Sequence, residues 1–329
     1  MSRTGATARG SAAILEPPRK AQDMSVVDPA ALASDASGYR RGVLLILAAG
    51  LCWSLMGIGI RLMEEATAWQ ILFYRSIALA AFLFCVISVL SAGRPLAVIA
   101  AAGIGGMIGG LALVGAFSGA VVAIQTTTVA NAMFLFAAAP FLSAVLGLVI
   151  LGEAVRPGTW AAMAVATVGI VIMVWDGISA GQWLGNVLAL GSALAFAVFT
   201  IVLRYWKGAD MMPAVMWGGV FTALIAGAAC LVTGQGFAVT GHDLILAGIL
   251  GVIQVGLGLV LCTIGARTVP AAEVALLTLS EVVLGPLWVA LILSEIPSAL
   301  TMLGGAMLFA ALALNALSGM RRRPPAIGH

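Results

Sequence analysis

The sequence predicts an all-α, polytopic membrane protein of ten transmembrane helices, arranged as two inverted five-helix repeats. Three observations predict it. Of 329 residues, 62% are hydrophobic and only 9% are charged, against about a quarter charged in an ordinary soluble domain. The charges are also displaced to the ends: ten lie in residues 1–41, three in the last nine, and 16 in the 279 residues between. A soluble fold of this length leaves much of its area in water and could not hide so many apolar side chains. Finally, the apolar residues form continuous Leu/Ala/Gly-rich runs of about 20 residues, the length of a membrane-crossing helix, and not the alternating segments of about ten that a β-barrel uses.

Residues 1–41 are rich in Ser, Ala, Asp, Arg and Pro and contain no apolar stretch long enough for a span or a signal-peptide core; this segment reads as a disordered cytoplasmic tail. At Gly42 the pattern changes, and spans are predicted at about 42–63, 70–90, 97–120, 126–152, 159–176, 184–203, 213–233, 244–266, 271–294 and 299–319. The third and fourth share an uncharged stretch, 97–152, so their division is open. Ser91-Ala92-Gly93-Arg94-Pro95, Arg156-Pro157-Gly158 and Gly234-Gln235-Gly236 mark tight turns, which make sequential helices antiparallel neighbours. The first repeat is assigned to 42–178, the second to 183–320, and a basic cytoplasmic tail to 321–329.

Positive charge orients the chain. With the N-terminus cytoplasmic, 14 of the 16 basic residues fall inside, while the outer loops carry Glu64, Glu65, Asp176, Asp243 and Glu295. An even number of spans is needed to return both ends to one side, which agrees with ten. The chain also repeats: an offset of 143 takes Leu51-Cys52-Trp53-Ser54-Leu55 to Leu194-Ala195-Phe196-Ala197-Val198 and Arg61 to Arg204, and an offset of 142 takes Glu153 to Glu295, Gly106 to Gly248 and Gly109 to Gly251. Five spans per repeat is an odd number, so the second repeat enters from the opposite side. Inverted repeats exchange conformations around a central site, the plan of secondary transporters. Arg61 reads as an interface anchor, Glu153 and Glu295 as caps of nearby helix entries, and Gly105, Gly106, Gly109, Gly110, Gly248 and Gly251 as packing surfaces.

Other classes are excluded on composition. The net charge of +3 resides mainly in the tails, so nucleic acid has no binding footprint. The four cysteines stand alone inside apolar runs and the two histidines, His242 and His329, form no ligand set, so no metal and no cofactor are expected. An intramembrane enzyme needs at least two cooperating groups, and Glu281 is the only carboxylate at mid-depth. A non-transporting scaffold lacks any large soluble domain. The expected partners are a small-molecule substrate and the lipid bilayer, with a homodimer as an admissible assembly.

Glu281 is the foremost candidate. It lies about eight residues, or roughly 12 Å, into the ninth span, where a carboxylate is costly in lipid and must face a cavity or a partner. It reads either as a protonation or counter-charge site, or as a neutral acid bonded to a neighbouring helix. Arg75, about six residues into the second span, reads either as a grip on a substrate carboxylate or as a side chain reaching the outer headgroups. Their depths differ by roughly 10 Å in a core about 30 Å thick, so a direct pair is not expected. Trp53 sits mid-span, away from any interfacial aromatic belt, and either stacks on a solute or packs. Ser54, Asn131, Gln254 and Thr200 are polar groups at membrane depth that either line a cavity or bond across helices. Tyr74 and Trp288 are further aromatic candidates.

Ala49-Gly50-Leu51-Cys52-Trp53-Ser54, Phe73-Tyr74-Arg75, Pro140 followed by Leu151-Gly152-Glu153, and Glu281-Val282-Val283-Leu284-Gly285-Pro286-Leu287-Trp288 running to Ser294-Glu295 together resemble the EamA family of the drug/metabolite transporter superfamily. The resemblance covers about residues 41–320. It implies a ten-helix inner-membrane carrier of small organic solutes, commonly an exporter, and does not reveal the solute. One departure is Val282 at the place of Pro140, with Pro286 nearby, so a kink in the ninth span is expected a turn later than in the fourth. The function read from all this is secondary transport of a small, amino-acid-like metabolite by alternating access, proton-coupled or as an uncoupled exchanger.

Overall fold

The computed structural model describes residues 29–206 and 210–320. The chain divides into two units, Met1–Gly38 and Tyr39–His329, and the architecture is that of the second. Ten helices are long and apolar enough to cross a membrane: α1 Gly38–Arg61, α2 Ala68–Leu90, α3 Gly103–Thr126, α4 Val129–Leu151, α5 Pro157–Ser179, α6 Trp183–Tyr205, α7 Met211–Val232, α8 Gly241–Gly265, α9 Glu273–Leu293 and α10 Ala299–Ser318. Among the described residues there is no strand. The short links make neighbours antiparallel, so α1 leaves from and α10 returns to the same face. That face is called terminal here, and the opposite one distal.

Three boundaries differ from those the sequence predicts. The helix that carries α1 begins at Pro29, so the tail read as disordered to residue 41 is helical from Pro29 onward; residues 1–28, like the basic tail at 321–329, lie outside the described residues. Low hydropathy had marked Pro29–Arg41 as tail, but its Ala-rich stretch is a strong helix former and Pro is tolerated in a first turn. The third span starts later, at Gly103, because a separate helix Pro95–Ala101 precedes it; Gly103 takes φ +55°, a left-handed conformation that separates the two.

The third difference concerns the broken helices. α4 consists of Val129–Phe136 and Ala139–Leu151, and α9 of a first piece Ala271–Thr278 and a second, Ser280–Leu293. The helix is interrupted earlier than the position of Pro286, where the sequence predicts the kink in the ninth span. The break falls at Leu279, which the repeat offset of 142 aligns with Ala137 in the break of α4. Pro140 lies in the first turn of its piece, where its missing N–H leaves no bond unmade. Pro286 is instead accommodated inside a continuous helix. The break therefore belongs to the repeat, with or without a proline.

The repeats meet along a pseudo-twofold axis on which α2 faces α7, α4 faces α9 and α5 faces α10. Lipid supplies no hydrophobic force between helices, so close backbone packing has to hold them. At the α5–α10 crossing a Cβ added to Gly169 would lie 2.6 Å from the Gly304 carbonyl oxygen, and one added to Gly304 would lie 2.5 Å from that of Gly169. Of the glycines expected to form packing surfaces, Gly105, Gly109 and Gly110 lie against α6, its C-terminal cap residue Trp206 and α7, and Gly251 lies against α2, whereas Gly248 has open space beside it.

Candidate functional site

A cavity of about 450 Å³ lies between the repeats. Both helix breaks line it, through Phe136, Ala137 and Pro140 of α4 and Thr278, Leu279 and Glu281 of α9. A broken helix exposes backbone groups that only a cavity or packed protein can satisfy at membrane depth. Most of the wall is apolar; its polar groups come chiefly from Arg75, Gln254 and Glu281, with the indole of Trp53. Trp53 is seated against bare backbone, since a Cβ at Gly258 would come 2.4 Å from its Nε1. Gln254 is placed by the π-helical turn Leu250–Leu257 within α8, the kind of helix irregularity that recurs at functional sites. Its amide reaches both the Trp53 carbonyl oxygen at 3.5 Å and Arg75 Nη2 at 3.4 Å.

Of the eight residues singled out from sequence, Glu281, Arg75, Trp53 and Gln254 thus share one wall. Arg75 and Glu281 form no ion pair, in keeping with their different depths. The other four lie off the wall. Trp288 Nε1 donates to Ser54 Oγ at 3.0 Å, and Ser54 donates in turn to the Leu51 carbonyl at 2.7 Å, so the two bond α1 to α9. Asn131 belongs to a buried cluster with Asn186 and Thr127. The Tyr74 hydroxyl donates to the Phe237 carbonyl across α2 and the end of α7. A ninth polar candidate, Thr200, also lies off the wall and is bonded to Ser143, joining α6 to α4.

The two faces are closed unequally. Among the described residues the cavity wall reaches Met211, the first residue of α7, and Ala275 near the start of α9, both at the terminal face. Toward the distal face it stops at Arg75 and Met133. Beyond them the helix ends are heavily cross-linked. Arg61 donates from Nη2 to the Thr127 carbonyl at 2.7 Å and holds its Nε 3.1 Å from Glu295 Oε2. Glu295 Oε1 accepts the Val129 N–H at 2.7 Å, an otherwise orphaned donor in the first turn of α4. Asp243, 1% exposed, accepts the N–H groups of Glu64, Glu65 and Ala66 at 3.0, 3.0 and 2.8 Å. At the terminal face the corresponding links are Arg204 to Glu153, Tyr39 to Glu273, and Thr159 to Asn315.

These pairs revise the expectations for the charged helix ends. Arg61 is not simply an interface anchor, and Glu153 is not a local cap. The offsets of 143 and 142 that relate Arg61 to Arg204 and Glu153 to Glu295 turn out to relate two ion pairs, each joining one repeat to the other, at opposite faces. Sequence reasoning also passed over Asp243, although Thr240 three residues before it is a cap signature: Thr240 Oγ1 accepts the Asp243 N–H at 3.1 Å. Phe117, whose ring lies 5.1 Å from the Arg75 guanidinium carbon, carried no signal, since nothing in a sequence says which phenylalanine meets which cation.

Ten spanning helices, an inverted duplication and a central cavity lined by both broken helices define a membrane transporter. The model of the EamA-like transporter family matches the chain twice, over residues 40–175 and 183–317, and the chain belongs to that family, within the drug/metabolite transporter superfamily. No curated protein matches at a significant level. One solved crystal structure, described only as that of a protein, is similar to it at 19% identity, over 85% of this chain and 99% of its own, with a TM-score of 0.61. A likeness at that identity concerns the fold alone.

Proposed function

We propose that the protein is a secondary carrier that exports a small, amino-acid-like metabolite across the inner membrane by alternating access, with proton coupling through Glu281. One observation carries this reading: a cavity between the repeats, lined by both broken helices, whose wall reaches the terminal face and stops short of the cross-linked distal one. Inversion supplies the second state, because exchanging the conformations of the two repeats exchanges the open and closed faces. The solute class follows from Glu281 and Arg75, opposite charges at separate points of the same wall. A carboxylate in a largely apolar cavity can take up a proton on one side and release it on the other as its access to water changes. The bias of basic residues toward the terminal face supports cytoplasmic termini. We read the chain as a carrier and not an enzyme, since Glu281 has no second catalytic group beside it.

The test is flux in proteoliposomes with and without a pH gradient, repeated with Glu281→Gln. Proton coupling predicts that a gradient accelerates wild-type flux and leaves the variant unaffected. Flux indifferent to the gradient in the wild type would instead establish an uncoupled exchanger of the same fold.

A further inference from the structure

Arg75 is a cation without a counter-charge. It is 3% exposed, so it does not reach out to the headgroups, and among the described residues it forms no ion pair. Its one polar contact is the long bond from Nη2 to the neutral Gln254 amide, and its Nε and Nη1 have no partner. A buried charge isolated in this way is costly, and each buried N–H left unpaired adds to that cost. Nothing on the facing wall offsets this, for Glu281 stands apart. The surroundings nevertheless hold the group in place: Phe117 packs on the guanidinium at 5.1 Å and Gln254 holds one nitrogen. All three residues line the cavity. The result is a positioned planar guanidinium in the cavity wall, with two buried donors that have no partner, beside a lining that is otherwise mostly apolar.

We propose that Arg75, Phe117 and Gln254 form an anion subsite that takes the carboxylate of the transported solute. This deepens the carrier reading and rests on it. The planar guanidinium matches a carboxylate better than it matches any neutral acceptor, and the apolar wall receives the body of the solute. The site therefore selects acids and amino acids and rejects amines and amides of the same skeleton. A site built to pair a charge discriminates strongly against an analogue that lacks it, because its own donors are then left unpaired. The carboxylate moves with the solute and the cation stays with the carrier.

Three probes of one skeleton test this: 4-methylpentanoate, L-leucine and L-leucinamide. Binding of radiolabelled 4-methylpentanoate to the full chain in nanodiscs is measured by equilibrium dialysis, with the other two as competitors. L-Leucine is expected to compete and L-leucinamide to be at least tenfold weaker. Arg75→Gln should lose at least tenfold in affinity, Arg75→Lys less, and Phe117→Leu, which keeps the charge, a few-fold. Absence of saturable 4-methylpentanoate binding, equal competition by L-leucinamide, or unchanged affinity in Arg75→Gln each overturns the subsite. If Arg75→Gln fails to fold, the comparison of the two leucine derivatives on the wild type still decides. Carboxylate binding without flux would remove the carrier reading and leave the subsite standing; flux of L-leucinamide without flux of the acids would do the reverse.

Discussion

Replacing Glu295 with Gln should loosen the distal face in a measurable way. The side-chain amide oxygen can still accept the Val129 N–H, but the ion pair with Arg61 is lost. Fully exposed pairs contribute about 0–1 kcal/mol, and breaking a fully buried one costs about 3–5 kcal/mol. Arg61 and Glu295 are 28% and 22% exposed, between those limits. An intermediate loss of about 1.5–2 kcal/mol raises the distal-open population roughly ten- to thirty-fold, at 1.36 kcal/mol per tenfold. The readout is accessibility at Met133, the wall residue of α4 nearest that face. Met133→Cys is made in a background lacking Cys52, Cys85, Cys230 and Cys262, and a membrane-impermeant maleimide is applied to the distal face. Its labelling rate should rise about tenfold with Glu295→Gln. Glu153→Gln breaks the sister pair at the terminal face, where exposures are 49% and 45%, and should raise distal labelling by no more than about twofold. Equal labelling in wild type and Glu295→Gln, or an equal rise in both variants, would refute the latch.

Three further outcomes follow. Asp243→Asn keeps one acceptor of the carboxylate that holds three N–H groups of the α1–α2 link, and should lower stability by about 1.5–3 kcal/mol, read as a lower midpoint in thermal unfolding in detergent. Gly258→Ala puts a Cβ 2.4 Å from Trp53 Nε1; displacing the indole from the wall should raise the KM for solute flux several-fold with little change in expression. Trp288→Phe removes the bond to Ser54 and should cost about 1 kcal/mol of stability while leaving the solute preference unchanged; a changed preference would mean that Trp288 reaches the solute.

The number of spans and the inversion were legible because both depend on signals summed over many residues: hydropathy over about 20 positions, charge over loops, and an offset shared by several anchors. Single boundaries were not. Hydropathy could not distinguish the Ala-rich, less apolar start of a helix at Pro29 from a tail, nor find the break before Gly103 inside an uncharged stretch. Within the site, an ionisable or aromatic residue at membrane depth flags itself as costly, which is how Glu281, Arg75 and Trp53 were found. Ser54 and Trp288 raise the same flag yet bond each other across helices, as Asn131 bonds Asn186 of α6, and only the rotation of each helix separates the two cases. The break in α9 shows the opposite limit. Its residue type gave no warning, and the repeat relation located it better than the proline did.

Among the described residues the distal clasp around Asp243 has no twin. The offset that aligns the repeats leads from Asp243 to Ala101, which can hold no backbone donor. Two repeats with matching latches alone would balance like an evenly weighted seesaw, idling equally on either side. This extra clasp loads one arm. In the proposed cycle that weight favours the arrangement in which the cavity wall reaches the terminal face, and a solute that crosses supplies the work of lifting the arm.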